Sequence, residues 1–333
     1  MTRGARCVSG FGARDGGIRK GPGENGSDAM TSTAADSSRA AYRTLGTYVE
    51  LTKPRLLPLV LVTGLPALAL AGGAWPSLQT SLPVLFGIAL AAAAANTFNA
   101  YIERDLDARM PRTRERPLPS GRLAPQRALR FGWALALAST GVLYVVGGAM
   151  AAGLGVATIL FYVFAYTLWS KRRSAWSAVI GGFAGAAAPL MADAAIDGRV
   201  GPAGLLLFAI VFFWQPPHVW AIALYRKDEY AAAGFPVLPN VVGEDATRRY
   251  MVLFTALLAP VTLAPWAFGL VGGLYLVVAV VANLWFMGHA LRVWRVRTPA
   301  AARGMFLASL GYLFALFAAM LVELSFGLTP ALA

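Results

Sequence analysis

The amino-acid sequence predicts an all-α, polytopic membrane protein of nine transmembrane helices. Three observations predict it. The 333 residues are 57% hydrophobic and only 14% charged, a balance typical of chains embedded in lipid. Nine apolar runs come close to the roughly 20 residues that a helix needs to cross a bilayer. When those runs alternate from a cytoplasmic N-terminus, all of the 29 lysines and arginines except Arg199 fall on the inner side.

Residues 1–45 come first and contain no apolar run. Rich in Gly, Ser, Arg and Asp, they bury too little surface to fold and read as a disordered cytoplasmic tail. No h-region follows the basic residues, so they are not a signal peptide. Asp15, Glu24, Asp28 and Asp36 argue against a transit peptide, and Met30 is a candidate start. Cys7, the single cysteine, lies here, which excludes a disulfide framework and argues against a Cys/His metal site.

Residues 46–333 form one transmembrane domain. Its spans fall at about 56–74, 81–102, 129–149, 151–170, 175–195, 203–224, 251–270, 272–291 and 304–326. A tight Gly/Ala turn separates the third from the fourth. The net charge of +13 flanks these spans and forms no soluble basic domain, which argues against nucleic acid. Long inner loops follow the second and the sixth span. Both are acidic, the second through Asp228, Glu229, Glu244 and Asp245. This echo, four spans apart, suggests two four-helix halves plus a ninth helix around a central cavity.

The chemistry gathers where the second span ends. Asn99, Glu103 and Asp107 are spaced i, i+4, i+8, so a helix puts them on one face. Arg104, Arg109, Arg112, Arg114 and Arg116 follow within one loop. The positive-inside rule explains the arginines, but not three metal-competent side chains at a membrane boundary, where acids are expensive and usually functional. Such oxygens suit Mg²⁺, and guanidinium forks suit a diphosphate, with Arg112 and Arg116 the foremost candidates. Asp105 points away from the acidic face.

Other groups carry a functional and a bland reading together. Trp214, His218, Tyr225 and Glu229 share a helical face at spacings of 4, 7 and 4, beside Pro216 and Pro217, which kink the span. His218 lies inside an apolar span. There it is either a functional group or a core histidine bonded to a carbonyl that the prolines free. Lys53 and Arg55 before the first span, and Lys171 and Arg172 after the fourth, either snorkel or donate to phosphate. Trp169, Trp176 and Trp294 read as interfacial belt residues, and His289 beside Arg292 as interfacial.

LTKPR at 51–55, NAYIERDLDARMPRTRERPLPSG at 99–121, YTLWSKR at 166–172, WQPPHVWAIAL at 214–224 and EYAAAGFPVLPNVVG at 229–243 resemble the UbiA superfamily of intramembrane aromatic prenyltransferases. The W-x-P-P-H and Y-x-x-A-G-x-P-x-L-P segments resemble its haem-farnesylating branch. The resemblance covers about residues 45–325, with the motifs in the family order. It implies a UbiA-like fold whose cavity opens toward the membrane and the cytosol. It also implies Mg²⁺-dependent transfer of farnesyl from farnesyl diphosphate to the vinyl group of haem b, giving haem O for terminal oxidases. The further expectations are residence in the cell membrane and partnership with haem A synthase or oxidase assembly factors.

Position by position, Asn99, Glu103 and Asp107 match the first acidic motif, with Glu where the superfamily commonly has Asp. The second motif departs further. KDEY at 227–230 stands in its place, leaving Asp228 as a candidate metal ligand and Glu229 as a candidate substrate contact. The rivals are a UbiA enzyme acting on a quinone precursor or chlorophyllide, and a transporter. A transporter favours charges at the midplane, whereas these acids cluster at one face.

Overall fold

The computed structural model describes residues 44–328. The chain divides into two units, Met1–Gly46 and Thr47–Ala333. Of the first, only 44–46 are described, and they are helical. The expected tail therefore lies, apart from its last two residues, outside the described residues.

The second unit is helical throughout, with no strand among the described residues: α1 Leu57–Gly72, α2 Leu78–Asp107, α3 Pro125–Leu160, α4 Ser177–Gly185, α5 Ala188–Asp197, α6 Pro202–Tyr225, α7 Glu244–Ala267, α8 Gly273–Val296 and α9 Pro299–Phe326. Local sequence sets where they begin. Prolines occupy the first turn of α1, α3, α5, α6 and α9, where the missing N–H costs nothing. Ser77 caps α2 by accepting from Thr80 N at 3.2 Å. α3 is broken at Gly148 (φ 74°, ψ −176°), a conformation that needs glycine. That break is the turn expected between the third and fourth spans. Beyond Leu160 the chain widens into a π-helix, Phe161–Ser170, before Lys171.

Among the described residues, seven helical stretches are long and apolar enough to cross a membrane, with Pro125–Arg173 taken as one and α4–α5 as another; α1, at 16 residues, is shorter. The expected nine crossings require a crossing on each side of Gly148 and one by α1. Two helices continue past their expected spans, the first as the shared face of Asn99, Glu103 and Asp107 requires. α2 runs to Asp107 and α7 starts at Glu244, because their polar turns are stabilised by ion pairs. In α7, Arg248 pairs with Glu244 and, at 2.9 Å, with Asp245.

α2 packs against α3 through small residues: an added Cβ at Gly87 would meet Leu143 at 2.8 Å, and one at Gly132 would meet Phe98 at 2.9 Å. α6 packs on α4, α5, α7 and α9, and α9 reaches back to α1. The outward faces carry exposed Leu137, Val145, Leu284 and Phe314, an apolar surface suited to lipid. The chain is thus a multi-pass membrane protein. The inner loops of the positive-inside count meet at one end. Lys171 reaches Glu103, Met110 clusters with Phe235, Lys227 pairs with Glu244, and Arg297 lies 3.7 Å from Asp245.

Candidate active site

α2 continues past its apolar stretch far enough to carry Asn99, Glu103 and Asp107 on successive turns. All three are buried, at 1%, 3% and 6% exposure. Each is met by a cation from a different part of the chain. Lys53 Nζ donates to Asn99 Oδ1 at 2.8 Å. Lys171 Nζ lies 2.6 and 2.7 Å from the two Glu103 carboxylate oxygens. Arg116 Nη1 donates to Asp107 Oδ2 at 2.8 Å.

Local geometry fixes this arrangement. Thr167 gives its hydroxyl proton to the Tyr162 carbonyl at 2.8 Å, so it accepts from Asn99 Nδ2 at 3.2 Å. That turns the Asn99 oxygen toward Lys53. The π-helical turn supplies Thr167, and such turns recur at functional sites. Asn96 Nδ2 donates to the Thr52 carbonyl at 3.2 Å, tying down the residue before Lys53. Lys53 itself holds a positive φ of 53°, which an L-residue adopts at a cost on the order of 1 kcal/mol. Burial, reinforced by the Lys171 charge, draws its ammonium pKa down to about 8. The Arg116 loop is pinned by Thr113, whose hydroxyl donates to the Asp107 carbonyl at 2.8 Å, and by Arg122, 3.0 Å from Glu50.

Beside this face lies a cavity of about 380 Å³. Asn96 and Lys171 mark its polar end; Trp214, Gln215 and His218 of α6 line its wall. Tyr162, Tyr166 and Phe235 bring aromatic faces, and Lys171 Nζ stands 5.3 Å from the Phe235 ring. Small residues keep the space open. At Gly181 an added Cβ would meet the Tyr166 ring at 2.6 Å. α7, α8 and α9 contribute none of the lining.

His218 Nδ1 lies 2.6 Å from Ser309 Oγ of α9. Its ring stacks on Trp214 at 4.4 Å, and Trp214 Nε1 donates to the Ser309 carbonyl at 2.7 Å. The histidine is therefore bonded to a hydroxyl on another helix. It is not bonded to a carbonyl freed by Pro216 and Pro217, and α6 runs through both prolines.

The structure brings together Lys53, Arg116 and Lys171 and leaves the other candidate donors aside. Arg55 and Arg112 are exposed. Arg104 folds over Tyr101, its guanidinium 4.8 Å from the ring, and lies 3.7 Å from Asp105. Arg172 donates to the Ile102 carbonyl at 3.2 Å. The expected shared face of Trp214, His218, Tyr225 and Glu229 breaks at Arg226 (φ −124°, ψ 18°), where α6 ends. Exposed Glu229 pairs with Arg226 at 3.4 Å, and Tyr225 packs on Phe306.

Asp228 is exposed. No group of three or more His, Cys, Asp or Glu side chains close enough to share a metal occurs among the described residues, so Asp228 does not join Glu103 and Asp107. His289 is half-buried against Trp285. The sequence reading missed Asn96, Thr113, Thr167 and Ser309. Asn96 and Thr167 carried a signal, being polar residues one turn or less from motif residues. Ser309 carried none.

Fold and site together define a class of protein: a helical membrane enzyme with an apolar cavity lined by Lys171, the partner of buried Glu103. The chain belongs to the UbiA prenyltransferase family, which matches residues 60–324. It is 41% identical to a protoheme IX farnesyltransferase of Methylorubrum populi over 91% of this chain and 98% of that one. Among solved structures it resembles a digeranylgeranylglyceryl phosphate synthase (TM-score 0.71, 17% identity, 84% of this chain and 98% of that one). It also resembles a UbiA homologue from Archaeoglobus fulgidus bound to DMAPP and Mg²⁺ (TM-score 0.55, 17% identity, 83% and 99%). At these identities the structural likenesses speak for the fold.

Proposed function

We propose that this chain transfers the farnesyl group of farnesyl diphosphate to the vinyl group of haem b, giving haem O. One observation carries the reading: a single apolar cavity is lined by Lys171, the partner of Glu103, and by His218. A polyanionic head group and an aromatic acceptor thus meet across one apolar space. The relatives named protoheme IX farnesyltransferase support the choice of acceptor.

Asn99, Glu103 and Asp107 offer hard oxygen donors on one face; Lys53 donates to the Asn99 amide, and Lys171 and Arg116 compensate the two carboxylates. This donor set fits Mg²⁺. When bound, Mg²⁺ supplies charge neutralisation for the departing pyrophosphate. Lys53 on the Asn99 amide, and Lys171 and Arg116 on the two carboxylates, would then be free to donate to the phosphate oxygens. The allylic C–O bond breaks and its electron pair leaves with pyrophosphate. Tyr162, Tyr166 and Phe235 face the allyl cation with π surfaces, and the alanine and glycine walls keep stray water away. The vinyl π electrons of haem b form the new C–C bond. Water then takes the porphyrin-side cation and releases a proton.

The same reading places residues 46–333 as a nine-crossing catalytic domain in the cell membrane, with the N-terminus and acidic loops cytoplasmic. Its partners there are haem A synthase or oxidase assembly factors. Purified protein given farnesyl diphosphate and Mg²⁺ is expected to yield a farnesylated product with haem b and none with 4-hydroxybenzoate, by mass spectrometry. The reverse pattern would assign the chain to quinone-precursor prenylation.

Lys53 gives a pH dependence that metal-free binding isolates. Its ammonium form is favoured when an anion is bound, so the bound pKa rises above the free value of about 8. Affinity for inorganic pyrophosphate without divalent metal is then full below pH 8. Above it, affinity falls by up to about tenfold per pH unit. Lys53→Arg removes this loss; a wild-type affinity flat from pH 7 to 9.5 excludes Lys53 from the anion site. In linkage terms the unfolded chain holds this proton up to 10.5, so the group's contribution to stability rises with pH between about 8 and 10.5.

A further inference from the structure

We propose that Ser309 is a positioning residue: its hydroxyl holds His218 in the Nδ1–H tautomer, so that the Nε2 lone pair faces the cavity as a ligand for porphyrin iron. The inference rests on the haem reading above and deepens it.

The assignment follows from counting protons. A serine hydroxyl has one proton and two lone pairs. Ser309 Oγ donates that proton to the Phe306 carbonyl at 2.6 Å within α9. The hydrogen in the 2.6 Å contact between Ser309 Oγ and His218 Nδ1 must then come from the imidazole. A neutral ring with its proton on Nδ1 has its lone pair on Nε2. His218 lines the cavity, and Nδ1 is the ring nitrogen with a hydrogen-bond partner among the described residues.

Several contacts fix the ring's plane as well as its tautomer. Trp214 stacks on one side at 4.4 Å with 26° between planes, and is itself anchored by its N–H on the Ser309 carbonyl. Phe306 lies 5.0 Å away. Ser309 is fully buried, so no water competes for its hydroxyl. One residue of α9 therefore orients both the imidazole and the indole beside it.

This tautomer separates two roles that the sequence leaves open. Hydrogen bonding to a porphyrin propionate needs a proton on the cavity-facing nitrogen; ligation of iron needs a lone pair there. The geometry supplies the lone pair. A ligating histidine commonly donates its other N–H to a fixed acceptor, which orients the ring and raises its basicity. Here that acceptor is a hydroxyl polarised by its own bond to Phe306.

The test uses the full-length protein in nanodiscs, titrated with haem b and separately with unreactive farnesyl S-thiolodiphosphate. In wild type the reduced haem complex is expected to show an iron–imidazole stretch by resonance Raman. His218→Ala abolishes it, and added imidazole restores it. Ser309→Ala weakens haem binding by about 10- to 100-fold and lowers the stretching frequency, while affinity for the farnesyl analogue stays unchanged. Ser309→Thr restores both haem readouts. Ser309→Cys keeps the volume with a poor acceptor and gives the same result should the alanine chain not purify. An unchanged haem affinity and stretch in Ser309→Ala or Ser309→Cys overturns the positioning role and leaves the haem reading intact. A wild-type haem spectrum in His218→Ala overturns the ligand role and the positioning role with it, whereas a wild type that binds the farnesyl analogue but shows no saturable haem binding overturns the haem reading.

Discussion

Asp107→Asn is expected to lower turnover by about three orders of magnitude, roughly 4 kcal/mol of transition-state stabilisation, in a protein that still purifies folded. Glu103→Gln should behave alike. The expectation comes from what the two carboxylates hold. Glu103 and Asp107 are buried, and each is neutralised by one cation, Lys171 or Arg116. The amides keep the shape and still accept the 2.7–2.8 Å hydrogen bonds, so the loops that Lys171 and Arg116 anchor stay in place. What is lost is the charge that exchanges a bound lysine or arginine for Mg²⁺. That exchange also implies synergy: the cations leave the acids most readily when phosphate oxygens are there to receive them. Mg²⁺ and the diphosphate should each raise the other's affinity by the same factor. Calorimetry with Mg²⁺ alone, with farnesyl S-thiolodiphosphate alone and with both measures this directly. Near-normal turnover in Asp107→Asn, or Mg²⁺ binding as tight without the analogue as with it, would sink the exchange.

The acidic face was legible because it breaks a rule. Three polar side chains at helical spacing in an apolar helix have few bland explanations, and α2 carries all three on one buried face. The basic residues were legible only as a population. Their clustering placed them on one side of the bilayer, but the positive-inside rule acts on the sum of charges and does not distinguish one arginine from another. Arg116 enters the site because the loop turns back onto α2 through Thr113. Arg112, four residues earlier, stays exposed, and nothing in its neighbours marks the difference. The face drawn through Trp214, His218, Tyr225 and Glu229 loses Glu229 because helical periodicity was extended across Arg226, where the backbone leaves the helix. Ser309 was invisible for another reason. One of two serines in an apolar helix of 28 residues, it gains meaning only when α9 meets α6, a contact 91 residues away in sequence.

A second large effect is expected far from the chemistry. Glu323 sits fully buried in α9 near the turn that joins α7 to α8. Its carboxylate accepts from Gly272 N at 2.6 Å and Tyr275 N at 2.9 Å, two N–H groups at the head of α8. A helix start leaves such donors without intrahelical partners, and in a bilayer no water replaces them. The negative charge also meets the positive end of the helix dipole. Asp193 plays the matching part in the other half, accepting from Gly201 N at the head of α6. These buried acids stand at the end opposite the active site, since α6 and α7 each run 24 residues, about 36 Å. Glu323→Ala strips both N–H groups of their partner and should cost about 3–5 kcal/mol. Glu323→Gln, which keeps one acceptor oxygen, should cost less than half as much. Thermal unfolding in a single detergent orders the three proteins, and turnover per folded molecule stays at the wild-type level because the cavity lining is untouched. If Glu323→Ala instead melts with wild type, the α8 donors have found other partners. If it melts normally but loses turnover, this acid belongs to the catalytic machinery rather than to the scaffold.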